Sequence, residues 1–313
     1  MKMNDTFSIN PISALFRVVI FLFMLSSFVS CEETKVPFAI DGGGVLVPVY
    51  TLDIAAPPTD GISGDSLVVD LDKLNLETRE TAIYNEIARG NVPEFLRDMV
   101  PVTFSETIQD NLYEICFYVT PDYLSLGSDE NHLLMPMTPI LAQRVMDLIG
   151  GTLPTRKMVD LIWEAATVKL APEPIPPSAA MVTVNVFAQH NRMVRASRNA
   201  AIEDDPLGEL VAGHKKDVIL SNRIADNPTK VVIYGWHYQN GSPIQPLYSG
   251  HVNWYADYSH GIRAVLSRCE LNGNMVEISD LLQDPVLYKL LSDESASMSQ
   301  VRYDTASTNY PKD

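Results

Sequence analysis

Four of the six histidines, His214, His237, His251 and His260, fall between residues 214 and 260, with Lys216, Asp217, Gln245, Trp254, Tyr255, Asp257, Ser259 and Arg263 among and just beyond them. Imidazole titrates near neutrality, a carboxylate can orient it or take its proton, and a cation can hold an anionic group. Three chemistries compete for these residues. In the first, His251, Asp257 and His260 ligate a divalent metal such as zinc, whose water attacks the substrate. Their spacing matches no zinc signature, and in a regular strand His260 points away from Asp257, so a bend at Gly261 is required. In the second, no metal is used: one of His251, His237 and His214 works with Asp257, and Arg263 or Lys216 stabilises negative charge. Asp217, Gln245, Tyr255 and Trp254 would then contact the substrate. The third makes Ser259 a nucleophile, although it lacks the Gly-x-Ser-x-Gly turn that exposes such a serine. Against all three stands a reading without chemistry, in which the histidines and tyrosines complete buried hydrogen-bond networks or form a sugar-binding platform.

These residues need a sheet to bring them together. Read as a strand, residues 251–264 put Val252, Trp254, Ala256, Tyr258, His260 and Ile262 on one face. The other face then carries His251, Asn253, Tyr255, Asp257, Ser259 and Arg263. Further strands are predicted over 210–220, 230–238 and 244–248, with Asn240-Gly241 as a tight turn. Earlier in the chain, strands are expected at 45–50 and 112–119. Asn272-Gly273 marks another tight turn, inside 269–278. Helical spacing appears from Leu76 to a stop at Gly90, with a short helix from Pro93. Thr138-Pro139 opens a helix ending at Gly150-Gly151, and Thr155 opens the next. A helix over 186–201 carries Arg192, Arg195 and Arg198 as a basic stripe, which suits either internal pairing or an anionic ligand. The Pro-rich stretch 171–177 is extended, as a linker or as a strap. The loop acids Asp122, Asp129 and Glu130 suit a cleft wall or a solvated turn. A last helix is expected over 285–291. The expected fold is α+β: a mostly antiparallel sheet built largely from the C-terminal half, with helices from the middle packed on it. It occupies residues 71–292, between an N-terminal tether with short strands (31–70) and a polar, frayed tail (293–313).

The chain has 313 residues, 46% of them hydrophobic, and a net charge of −16 from 23 Lys plus Arg against 39 Asp plus Glu. That is enough chain for a substantial core, and the acidic balance excludes nucleic acid as a natural partner. Residues 1–30 read as an export signal: Lys2 and Arg17 precede an apolar run too short to span a bilayer. Gly42-Gly43-Gly44 leads into a strand and is a flexible turn instead of a phosphate cradle. Cys116 and Cys269 can pair outside the cytoplasm, or stay buried as thiols.

Small residues and Phe28 run into Cys31 as Ser27-Phe28-Val29-Ser30-Cys31, which resembles the lipobox of bacterial lipoproteins. The resemblance implies lipid on Cys31, a membrane partner through that lipid, and placement in the cell envelope. Glu32-Glu33 suit the outer face of an outer membrane. The phrases Gly-Trp-His (235–237), Pro-Ile-Gln-Pro-Leu (243–247), Asp-Tyr-Ser-His-Gly-Ile-Arg (257–263) and Leu-Pro-Thr-Arg-Lys-Met-Val-Asp (153–160) resemble those of an uncharacterised group of exported bacterial proteins, over residues 80–265. That likeness implies no reaction. The leading expectation is a lipid-anchored hydrolase acting on a glycan or on peptidoglycan, and its competitor is a glycan-binding lipoprotein without catalysis.

Overall fold

The structure is a computed structural model, which describes residues 38–40, 46–306 and 310. The export segment, Cys31 and the triple glycine lie outside the described residues. Phe38–Ile40 (β1) and Leu46–Pro48 (β2) form a hairpin. Helices α1 (Gly64–Leu71) and α2 (Leu76–Ala88) follow, opened by Ser63 and Asn75, whose side chains accept from Ser66 N and Thr78 N. Both caps satisfy an amide that the first helical turn leaves unpaired.

Next come β3 (Val100–Ile108) and β4 (Asn111–Val119), a long hairpin turned at Gln109 and Asp110, both with positive φ. The short strands β5 (Ser125–Gly127) and β6 (His132–Leu134) pair with each other. In α3 (Pro139–Leu148) Thr138 accepts from Leu141 N at 3.2 Å with proline at the first helical position, as its sequence predicts. β7 (Gly151–Thr152) leads to α4 (Arg156–Ala165), where Thr155 accepts from Met158 N at 3.2 Å. β8 (Val168–Lys169), α5 (Val184–Asn199) and β9 (Val211–Ala212) are followed by β10 (Lys216–Val218), α6 (Arg223–Asp226), β11 (Ile233–His237) and β12 (Pro243–Tyr248). β13 (His260–Gly261), β14 (Val265–Leu271), β15 (Asn274–Glu277) and α7 (Ile278–Gln283) complete the order.

Two sheets carry the α+β architecture, and most of their pairings are antiparallel. One runs β12-β11-β10-β13, with only β10 and β13 parallel, and the other runs β15-β14-β4-β3 with β7 beside β14. The first comes from the C-terminal half, while the second joins strands from both halves of the chain. Phe117, Leu141, Val145, Met158, Ile162, Val218, Ile233 and Val265 are buried together in one core that the helices and both sheets share. A smaller cluster of Phe187, Trp236 and Tyr258 sits apart from it. The strap reading fits residues 171–177. Tyr258 Oη accepts from Ile175 N at 2.8 Å and lies 3.1 Å from Ile175 O, which fastens the proline-rich stretch over this smaller cluster. Cys116 and Cys269 are free thiols, and burial pushes the Cys269 thiol up to about 12.

Three expectations need correction. Residues 251–264 are no continuous strand: β12 ends at Tyr248, turns follow, and only His260–Gly261 pairs before β14. The tether reading ends too late, because α1 buries Leu67 and Leu71 in the core. The tail is docked, not frayed: Met298 and Tyr303 are buried, and Tyr303 Oη accepts from Val232 N at 3.0 Å while donating to Ile219 O at 2.7 Å. Tyr303→Phe leaves that amide and that carbonyl buried without their partner, so it is expected to cost roughly 1–3 kcal/mol. Urea unfolding measures this, and a chain ending at residue 297 should melt lower still. An unchanged melting temperature for the shortened chain would contradict the docking.

Candidate functional site

Strand β10 organises the site because it carries Lys216 and Asp217 on opposite faces, directly after Lys215. It lies between β11 and β13, with Lys216 opposite Gly235 on one side and His260 on the other. Two close approaches hold this arrangement. A Cβ on Gly261 would lie 2.6 Å from the Tyr123 ring and 2.7 Å from Lys215 Cβ, and one on Gly213 would lie 2.3 Å from Leu170 O. Gly213 also has φ +102, a conformation other residues rarely adopt.

On the Lys216 face, the turn 252–260 folds Asp257 back toward the sheet. Asp257 Oδ1 accepts from Ser259 N at 2.8 Å and from Ser259 Oγ at 2.5 Å. Its Oδ2 accepts from Tyr255 Oη at 3.2 Å and lies 4.0 Å from Lys216 Nζ. Burial alone would raise this carboxyl, yet His260, Lys216 and the Ser259 donors outweigh it and hold the group down at about 2. The main-chain N–H of His260 donates to the Asp257 carbonyl at 3.0 Å, so the turn brings these two residues together where regular alternation would separate them. His251 stacks on Tyr255 with centroids 4.1 Å apart and planes at 20°, and Tyr255 meets His260 edge-on at 5.8 Å. Burial lowers the His251 imidazole below its ordinary value and raises the Tyr255 phenol. His251, Tyr255 and Lys216 are partly exposed, whereas Asp257, Ser259 and His260 are buried. Trp254, Tyr255 and Ala256 line a groove of about 370 Å³ together with Asp72, Leu76 and Arg79.

On the other face, Tyr123 Oη donates to Asp217 Oδ2 at 2.8 Å, and the Arg263 guanidinium lies 4.2 Å over the Tyr123 ring. Burial pushes the Asp217 carboxyl up to about 6, against the pull of Arg263. Arg263 is itself buried and donates to Thr120 O at 2.8 Å and Val211 O at 2.6 Å. His214, also buried, has Nε2 3.0 Å from Asp122, which is held below the usual carboxylate range by that imidazole. His237 Nε2 lies 3.0 Å from Asp160 Oδ1, which also accepts from Tyr234 Oη at 2.9 Å. Lys215, fully buried, donates to Tyr258 O at 2.6 Å and lies 3.2 Å from His190 Nδ1; burial brings its ammonium down to about 7.

The residues anticipated from sequence therefore divide. His251, Tyr255, Asp257, Ser259, His260 and Lys216 come together, with Trp254 on the adjoining groove. His214, Asp217, His237 and Arg263 belong to the interior behind β10, and Gln245 sits on the edge strand β12 with its amide donating to Pro246 O. The metal reading does not fit. Among the described residues no group of three or more His, Cys, Asp or Glu is placed to hold an ion, so His251, Asp257 and His260 do not form a ligand set. Ser259 Oγ is buried and tied to Asp257, which leaves it unexposed for nucleophilic attack. Two arginines of the stripe bond internally: Arg195 donates to Glu130 O, and Arg198 to Asp205 O and Pro206 O, while Arg192 is exposed. Asp129 and Glu130 do line a hollow, but Asp122 is buried away from it. Asp160 and His190 were not legible as partners, because each lies on a helix whose periodicity marks packing alone.

His260 is buried neutral, its imidazole pushed down to about 4 from 6.5 by desolvation. As pH falls through that window the unfolded chain binds the proton first, so stability is lost, by up to about 1.4 kcal/mol per pH unit. Asp217 acts oppositely between 3.8 and about 6, where the folded form binds the proton first. His260→Gln should flatten the acid limb of stability between pH 6.5 and 4, read by urea unfolding across that range. An unaltered limb would mean that His260 does not enter the fold uncharged.

Among known proteins the chain matches no family model, and no curated protein or solved structure is similar to it.

Proposed function

We propose that the chain is a hydrolase of an extracytoplasmic polymer, a glycan or peptidoglycan, working by metal-free acid–base chemistry at the Asp257 corner. The observation that carries the reading is the partly exposed His251–Tyr255 stack beside the groove, with Tyr255 and Lys216 both directed at the Asp257 carboxylate. Desolvation favours the neutral form of His251, the form that can take a proton from water. The Lys216 ammonium stands near the same carboxylate as the proton donor for the departing oxygen, and Tyr255, held by Asp257, orients the pair. The new bond joins water oxygen to the reacting carbon while the polymer's carbon–oxygen bond breaks. Proton exchange with solvent then returns both groups to their starting state. Trp254 and Tyr255 on the groove wall supply aromatic surface for sugar rings. The envelope location and the lipid on Cys31 rest on the export segment.

The burial of Asp257, Ser259 and His260 favours a second reading, a glycan-binding lipoprotein in which these groups only shape the platform. Release of reducing ends from peptidoglycan and from a glycan panel, with and without chelator, separates the two. His251→Gln and Tyr255→Phe are each expected to lower kcat by about 10²–10⁴, with little change in melting temperature and no effect of chelator. Polymer binding with no released ends from the unaltered protein would leave the second reading in place.

A further inference from the structure

The Asp257 corner holds more hydrogen-bond donors than acceptors. Both oxygens of Asp257 are engaged, by Ser259 N, Ser259 Oγ and Tyr255 Oη. Lys216 Nζ lies 4.0 Å from this carboxylate, beyond hydrogen-bond distance. His260 is fully buried and neither ring nitrogen has a partner among the described residues. Trp236 is 4% exposed, and its indole N–H is likewise unpartnered.

These three groups share one neighbourhood. Lys216 and His260 are register partners across the parallel pair β10–β13, so their side chains leave the sheet on the same face. Opposite Lys216 on the other side is Gly235, where the pairing with β12 shifts register and both Gly235 and Trp236 take positive φ. This bulge turns the indole toward Lys216, whose ammonium lies 5.1 Å from the Trp236 ring centroid. A non-glycine residue in the left-handed region costs energy of its own. Burying unpaired donors costs more. An anionic group set between them would receive hydrogen bonds from all three, and Lys216 is the one of them that is partly exposed.

Resting on the acid–base reading of the same corner, we propose that Lys216, His260 and Trp236 bind a carboxylate of the substrate, so that the polymer is an acidic glycan. A carboxylate suits the place better than a phosphate monoester. It brings a single charge and two oxygens up to the ionised Asp257, whereas a dianion would meet a stronger repulsion there. The carboxylate can come from uronic acid residues or from the lactyl groups of peptidoglycan glycan strands.

The test measures binding by tryptophan fluorescence and calorimetry, with two acidic probes and a neutral counterpart of each. One arm uses a uronic acid hexasaccharide and its methyl ester, and the other uses peptide-free peptidoglycan strands and chitin oligomers of equal length. In at least one arm the acidic probe should bind about tenfold or more tighter than its neutral counterpart. Lys216→Met should erase that preference, and Lys216→Arg should keep part of it. Should Lys216→Met fail to fold, Trp236→Phe removes the indole N–H while retaining a ring, and should cut the preference severalfold. Equal binding of acidic and neutral probes in both arms, no binding in either, or a preference that outlasts the folded variants would overturn the inference. Turnover of neutral polymer without preference would sink it and spare the hydrolase reading. Selective binding without turnover would do the reverse.

Discussion

Lys215, Lys216 and Asp217 are consecutive, the outer two buried and Lys216 only partly exposed, and the fold around them follows from that. Lys215 and Asp217 are 1% and 2% exposed. Taking such groups out of water costs several kcal/mol each unless partners are supplied. Each therefore draws a different part of the chain toward β10. Lys215 is met by the Tyr258 carbonyl and by His190 of α5, Lys216 by the turn holding Asp257, and Asp217 by Tyr123 from the loop after β4. Arg263 closes the set by covering the Tyr123 ring and taking the carbonyls of Thr120 and Val211. An apolar strand here would need none of these contacts and would serve stability at least as well. Retaining three ionisable residues in the middle of a sheet is thus a cost that packing alone does not explain.

Much of this frame can be read from the sequence, and the failures share a cause. The capped helices α3 and α4 follow from Thr138-Pro139 and Thr155, because an N-cap and the apolar period are local signals. The hairpins at Asn240-Gly241 and Asn272-Gly273 are legible for the same reason. Alternation fails over 251–264 because turns closed by Tyr255 N to Val252 O and His260 N to Asp257 O interrupt it, and neither carries the usual dipeptide signal. The long strand Val100–Ile108 leaves a weak signal because its Thr, Ser and Glu dilute the alternation that its burial pattern displays. Within the site, residues near each other in sequence were found, such as Tyr255, Asp257 and His260. Those brought in from afar, Asp160, His190 and Tyr123, depend on tertiary contacts that no spacing encodes. Docking of the tail through Tyr303 is of the same kind, since one buried tyrosine in a polar stretch leaves no periodic trace.

The electrostatics of the chain divide capture from recognition in the proposed function. A net charge of −16 sets a field that repels an acidic polymer at long range. That field is screened beyond roughly 8–10 Å at physiological salt, whereas hydrogen bonds from Lys216, His260 and Trp236 act within 3–4 Å. An acidic glycan would therefore first meet the protein through uncharged contacts, and the aromatic wall of Trp254 and Tyr255 offers those without regard to charge. The carboxylate would be read only after the sugar ring had settled. By then it would have left the screened exterior for a setting of low dielectric, where each donor counts for more. An anionic surface and a donor-rich corner are in this sense compatible. The first discourages indiscriminate binding of polyanions, and the second would act only on a ligand that has already been placed.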